Sequence, residues 1–247
     1  MQYLRSIVFI VQMYLVMAVM TVCLFPFALI GGRNVAVMIC RTYCHWIRFT
    51  ARWLVGLRTE VRGTVPEGDV LICAKHQSFM DILIIYSALP KGKFIMKREL
   101  AYMPFLGWFA WAIGCIPVNR GKGGAAVKAM LKAAKKGQEK GGQLVIFPQG
   151  TRVAPGDVRP YKIGAGALYS TLKTAAVPVA VNVGLFWPKH AILRKPGLAV
   201  IEFLPAIEPG LKVDAFMAEI ESQIETRSNM LMAEAGMPIV AALDPKG

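Results

Sequence analysis

No acidic side chain occurs in the first 59 residues; Glu60 is the first, and six arginines precede it. Residues 6–32 carry no charge of either sign. That gap excludes a solvated N-terminal segment, because the apolar run 7–30 is longer than the ~20 residues a helix needs to cross a bilayer core. The run is therefore a membrane helix or one half of a hairpin, with Pro26, Gly31 and Gly32 marking a kink and then a break. It is too long for the apolar core of a signal peptide, and no small-x-small cleavage site follows it. Cysteine is scarce and odd in number. Cys23, Cys40, Cys44, Cys73 and Cys115 form no Cys-x-x-Cys pair, which points to buried thiols in a reducing compartment. Cys40, Cys44 and His45 have no fourth ligand cluster nearby, so a structural zinc site is disfavoured. No Gly-x-Ser-x-Gly is found, which removes the commonest elbow for a protein nucleophile.

The 247 residues are 55% hydrophobic, enough for one sizeable core with appendages. A net charge of +14 and a pI near 9.8 call for anionic partners, such as phospholipid surfaces, phosphate-bearing substrates or acidic carrier proteins. Nucleic acid fits poorly, since no stacking aromatics interleave the lysines of the 125–139 helix. Over 35–55, Arg41, His45, Arg48 and Arg52 recur at helical spacing, with Trp46, Phe49 and Trp53 among the apolar remainder. This predicts an interfacial helix whose guanidiniums meet lipid phosphates. The Lys and Arg excess beyond it places the rest of the chain on the cytoplasmic side.

From residue 57 onward, short β-rich runs alternate with helical patterns. Strands are expected at 58–62, 70–74, 93–96, 115–118, 143–147, 177–183 and 199–204, and helices at 80–89, 105–113, 125–139, 164–172 and 213–235. The alternation predicts a single α/β domain on a mostly parallel or mixed sheet.

Within it, Lys75-His76-Gln77-Ser78 follows a strand and precedes an apolar helix, the place where α/β folds commonly hold ligands. His76 and Asp81 would diverge by about 140° on a continuous helix. They meet only if the chain turns between them. The carboxylate would then hold the Nδ1 proton and leave Nε2 as a base, with the nucleophile supplied by the substrate. Arg120, after Ile116-Pro117-Val118-Asn119, and Arg152, after Gly150-Thr151, end two further strand-plus-turn segments. Two guanidinium forks at neighbouring strand ends suit a phosphate or carboxylate, and a glycine turn lets backbone N–H groups approach it.

These blocks resemble those of the glycerolipid acyltransferases, the lysophosphatidic acid acyltransferase (PlsC-like) group. His76 to Asp81 is similar to the family's His-x4-Asp, 116–120 to its second motif, Phe147 to Arg152 to Phe-Pro-Glu-Gly-Thr-Arg, and Val177-Pro178-Val179 to Val-Pro-Val. The four stand in the family's order across about 110 residues. The resemblance implies membrane-attachment helices over 1–56 and an acyltransferase domain over 57–247. It implies acyl transfer from acyl-carrier-protein or coenzyme A thioester to the sn-2 hydroxyl of lysophosphatidic acid, giving phosphatidic acid without metal or resident cofactor. His76 and Asp81 would be catalytic. Arg120, Gln149, Gly150, Thr151 and Arg152 would hold the acceptor, and Val177 and Pro178 would shape the donor side. Gln149 departs from the family's usual glutamate, and Lys75 from its frequent asparagine. That leaves open another acceptor, such as lyso-ornithine lipid, and in a different class a non-catalytic protein that binds membrane surfaces.

Overall fold

The computed structural model describes residues 1–119, 121, 123–139 and 141–237. Helix α1 (Gln2–Val55) is broken at Gly32, whose φ of 67° and ψ of −159° are not helical. Its halves fold back as an antiparallel hairpin. Gln2 Nε2 donates to the Val55 carbonyl at 2.9 Å, Gln12 Nε2 to Thr50 Oγ1 at 3.0 Å, and Tyr43 Oη to the Met13 carbonyl at 3.2 Å. The hairpin therefore returns to the side on which it began. Leu4, Val8, Val11, Leu15, Val19 and Val22 form an exposed stripe along the first half, at the spacing of one helix face. Met38, Trp46, Phe49 and Trp53 extend the exposed apolar surface on the second half.

The positive face of the second half differs from the expected lipid-facing one. Arg48 turns to the domain, where Nε donates to Thr59 Oγ1 at 2.8 Å and Nη1 to Ser87 Oγ at 2.9 Å. Arg41 lies near the Ser87 carbonyl. The physical reason is the end of the next helix, whose last carbonyls lack intrahelical donors and attract cations. Arg52, Trp46, Phe49 and Trp53 remain outward.

After α1 the chain alternates β1 (Leu57–Arg62), β2 (Leu71–Ala74), α2 (Met80–Ala88), β3 (Lys93–Lys97), α3 (Leu106–Ile113), β4 (Ile116–Val118), α4 (Gly123–Gln138), β5 (Leu144–Ile146), α5 (Gly164–Leu172), β6 (Ala176–Val181), β7 (Gly197–Phe203) and α6 (Val213–Glu234). The seven strands make one sheet in the order β1-β7-β6-β2-β5-β3-β4. Strands β6, β2, β5, β3 and β4 are parallel, and β7 joins β6 antiparallel while pairing parallel with β1. The sheet is thus mixed, and the carboxyl ends of its five parallel strands share one edge. That edge is where such sheets hold ligands.

Each face of the sheet has its own core. Ile72, Ala74, Val145 and Val179 pack with Phe9, Ile47 and Ile84 of the hairpin and α2. Leu71, Cys73, Leu144 and Ile146 pack with Leu168, Phe216 and Ile220 of α5 and α6. Successive β2 side chains therefore alternate between hairpin and α6, as the period of a strand requires. The open end of the hairpin is tied to that same edge. Gln2 Nε2 donates to the Arg194 carbonyl at 2.7 Å, the Arg194 N–H to Ser6 Oγ at 2.9 Å, and the Phe9 ring meets Trp187 at 5.5 Å.

Arg48→Ala is expected to lower the thermal unfolding midpoint in detergent by several degrees. The loss is about 1.5–3 kcal/mol, that of hydrogen bonds made by a charged group. Co-sedimentation with anionic vesicles should be unchanged; lost vesicle binding with an unaltered midpoint would return Arg48 to the lipid phosphates.

Candidate active site

Strand alternation continues past Ala74. Lys75 follows Leu71 and Cys73 toward α6, while His76 follows Ile72 and Ala74 toward the hairpin and α2. The chain then turns rather than running on. Ser78 Oγ accepts the Met80 N–H at 3.2 Å, and Asp81 occupies the first turn of α2, where a helix N-terminus favours a carboxylate. Asp81 is fully buried. Its Oδ2 accepts the Gln77 and Ser78 N–H groups, each at 2.7 Å, and meets His76 Nδ1 at 3.1 Å. One carboxylate oxygen thus draws the turn closed and brings the histidine back. An ionised carboxylate only accepts, so the tautomer that suits this contact carries its proton on Nδ1 and leaves the Nε2 lone pair to act as a base. The imidazole lies flat on Phe147, ring centroids 4.0 Å apart at 18°.

Phe147 leads from β5 into the second element of the site. The Gly150 N–H donates to the Phe147 carbonyl at 2.9 Å, and Gly150 has a φ of 70°. That hydrogen bond closes the turn. The Val153 N–H then donates to the His76 carbonyl at 2.8 Å, so the Gly150-Thr151-Arg152 turn is fastened directly to the histidine's backbone. Thr151 and Arg152 are half-buried there. Among the described residues nothing hydrogen-bonds or pairs with the Arg152 guanidinium. Lys162 is a further cation that sequence reasoning missed. Its N–H donates to the Pro148 carbonyl at 2.9 Å, and its side chain crosses Gly150 so closely that a Cβ there would lie 3.1 Å from Nζ. Only its place just ahead of the 164–172 helical pattern could have hinted at this.

Gln149 is 2% exposed and turns away from the histidine, its Nε2 3.4 Å from Glu225 Oε1 on α6. Lys75, where the family frequently has asparagine, is 1% exposed and ion-paired with the same carboxylate through Glu225 Oε2. Tyr161 Oη donates to Oε1 at 2.9 Å. Burial, and then the adjacent Glu225, push the Tyr161 phenol upward, so it stays a donor. Val177 and Pro178 lie inside β6, in register with Ile72 and Cys73, and are buried in the sheet. They back β2 from its other side. Arg120 lies outside the described residues. The strand before it, β4, is separated from β5 by β3, so the second and third blocks do not stand on neighbouring strands. Cys73, the thiol nearest in sequence to His76, is pushed well up by burial, and burial pushes Cys115 up to about 11; neither offers a thiolate.

The arrangement can take a proton at Nε2 and hold an anion at Arg152, with the hairpin's apolar surface beside it. The Acyltransferase family model matches residues 58–182, just over half of the chain. Similar curated proteins include the 1-acyl-sn-glycerol-3-phosphate acyltransferase of Pseudomonas aeruginosa, 29% identical over 79% of this chain and 77% of that protein. The alpha form of Bos taurus is 31% identical over 76% of this chain and 67% of its own length. Among solved structures, that of PlsC, the 1-acyl-sn-glycerophosphate acyltransferase from Thermotoga maritima, superposes with a TM-score of 0.80 at 20% identity, covering 94% of this chain and 98% of that one.

Asp81→Ala would leave the Gln77 and Ser78 N–H groups buried without an acceptor, at about 1–3 kcal/mol each. A lowered thermal midpoint is expected, partly restored in Asp81→Asn, which keeps one acceptor oxygen. A midpoint equal to wild type in the alanine variant would show that Asp81 does not hold the turn.

Proposed function

Because the chain belongs to the Acyltransferase family, we propose that it acylates the sn-2 hydroxyl of 1-acylglycerol 3-phosphate from a coenzyme A or acyl-carrier-protein thioester, giving phosphatidic acid. The observation that carries this reading is the His76–Asp81 pair at 3.1 Å, fastened by the Val153–His76 hydrogen bond to a turn whose arginine is without a partner among the described residues. The names of the relatives agree with it.

In this reaction the acceptor phosphate sits against Arg152, with Lys162 alongside and Arg120 as a further candidate. Its free hydroxyl faces His76. Nε2 removes the hydroxyl proton as the oxygen attacks the thioester carbonyl, and Asp81 stabilises the imidazolium that forms. The tetrahedral intermediate collapses to the ester with cleavage of the C–S bond, and the imidazolium returns its proton to the departing thiolate. The reaction as written uses no resident cofactor or metal. A positioned base contributes about 10² to 10⁴ in rate, with the remainder coming from holding hydroxyl and thioester together.

The hairpin would sit in one leaflet, its Leu4-to-Val22 stripe among acyl chains and Trp46, Phe49 and Trp53 near headgroup depth, with the domain on the cytoplasmic face. An acceptor held in that leaflet reaches the site without leaving the lipid phase. Gln149 lends no separate support to an ornithine headgroup, since its amide is engaged with Glu225.

Purified protein in detergent should acylate lysophosphatidate in preference to lyso-ornithine lipid when each is offered with both donors. His76→Ala should lower turnover about 10² to 10⁴-fold while leaving vesicle association intact. Turnover retained in that variant would remove His76 from the chemistry, and acylation of neither acceptor would sink the substrate assignment.

A further inference from the structure

Lys75 places an ammonium in the protein interior one residue before the base, and an unpaired buried cation is costly. Its counterion comes from 150 residues away, on α6. The Glu225 carboxylate gathers groups from three segments: Lys75 at the end of β2, Gln149 on the turn after β5, and Tyr161 ahead of α5. The same helix face reaches the catalytic edge twice more. Ser228 Oγ accepts the Val181 N–H at 3.2 Å, and Met232 Sδ lies 3.4 Å from Gln77 Nε2. Glu221, one turn before Glu225, has its carboxyl raised by burial and then by Glu225.

We propose that Glu225 is a positioning residue of the site: by neutralising Lys75 it lets positive charge develop on His76, and by holding Gln149 and Tyr161 it seats the turn that carries Arg152. The assignment rests on the acyl-transfer reading above. When Nε2 takes the acceptor proton, the ring becomes a cation beside a residue that is already one. Lys75 and His76 point to opposite faces of the strand, so the two charges interact across its width rather than by contact. Paired with Glu225, Lys75 presents almost no net charge to the ring. Unpaired, it opposes the imidazolium in the transition state and has little to oppose in the ground state, which is the signature of an effect on kcat rather than KM.

Glu225→Gln, Lys75→Met/Glu225→Gln and wild type would be compared in detergent for kcat, for KM toward lysophosphatidate, and for thermal midpoint. Glu225→Gln keeps a hydrogen-bonding side chain but strands the ammonium. Its kcat should fall by about tenfold or more, the scale of a unit charge across a strand's width at an effective dielectric near 20, with KM changed less than about threefold. Removing the ammonium as well should bring kcat back to within about threefold of wild type. Wild-type kcat in the single variant, or a folded double variant as slow as the single one, overturns the assignment. If Glu225→Gln does not fold, the double variant decides: recovery of fold and turnover supports the proposal, and failure of either overturns it. Wild-type turnover in the same series keeps the two readings apart. Without it the acceptor assignment falls, and the pairing of Glu225 with Lys75 is read from the midpoints, which must drop in the single variant and recover in the double.

Discussion

One buried carboxylate oxygen, Asp81 Oδ2, holds the passage from β2 to α2. It accepts two backbone N–H groups and faces the imidazole, so the same atom closes the turn between strand and helix and holds the ring. A residue that closes a turn and one that partners a histidine are usually separate requirements on a sequence. Their coincidence explains how a His-x4-Asp spacing, which would splay the two side chains on a helix, can work as a pair. The Phe147 ring beneath the imidazole and the Val153–His76 hydrogen bond then attach the second turn to a base already in place.

The alternation of β2 divides the labour between the two faces of the sheet. His76 looks toward the hairpin, the side bearing the exposed apolar stripe, where a lipid acceptor would arrive. Lys75 looks toward α6, where its charge is matched inside the protein. With the back wall charge-neutral, the cations of this part of the edge are Arg152, without a partner among the described residues, and Lys162, which crosses Gly150. The +14 net charge is thus not spread evenly in function, since Lys75 and Arg48 serve internal contacts and only part of the excess faces ligands or lipid.

What could be read from the sequence follows the range of the interactions involved. Seven strands and the helices between them were legible because each rests on periodicity within a few residues, and the observed sheet has the expected mixed character. The turns after β2 and β5 were legible because Asp81 acts over five positions and Gly150 over three. Glu225 was not. On α6 it reads as one more polar residue of an amphipathic helix, and its partner lies 150 positions away. Gln149 seemed to speak of the substrate because its real neighbour was out of sight. Arg48 misled for the same reason: helical spacing gave its face correctly, but what lay against that face, Thr59 and Ser87, was fixed by tertiary packing. Val177 and Pro178 are buried in β6, a position that a motif match cannot distinguish from a ligand wall.

The absence of acid from the first 59 residues gains a physical meaning from this geometry. Trp187 touches both Phe9 on the hairpin and Phe79 at the mouth of α2, at 5.5 and 6.2 Å, so the apolar surface runs up to the catalytic edge without a break in the packing. A lysolipid moving along it would meet no carboxylate from α1 to repel its phosphate. Asp81 is the acid nearest the base, and it is fully buried with its Oδ2 engaged by two backbone N–H groups and His76. The Glu225 carboxylate stands on α6, against Lys75 and on the face of the sheet opposite the one His76 looks toward, so the structural anion lies away from the path along the hairpin.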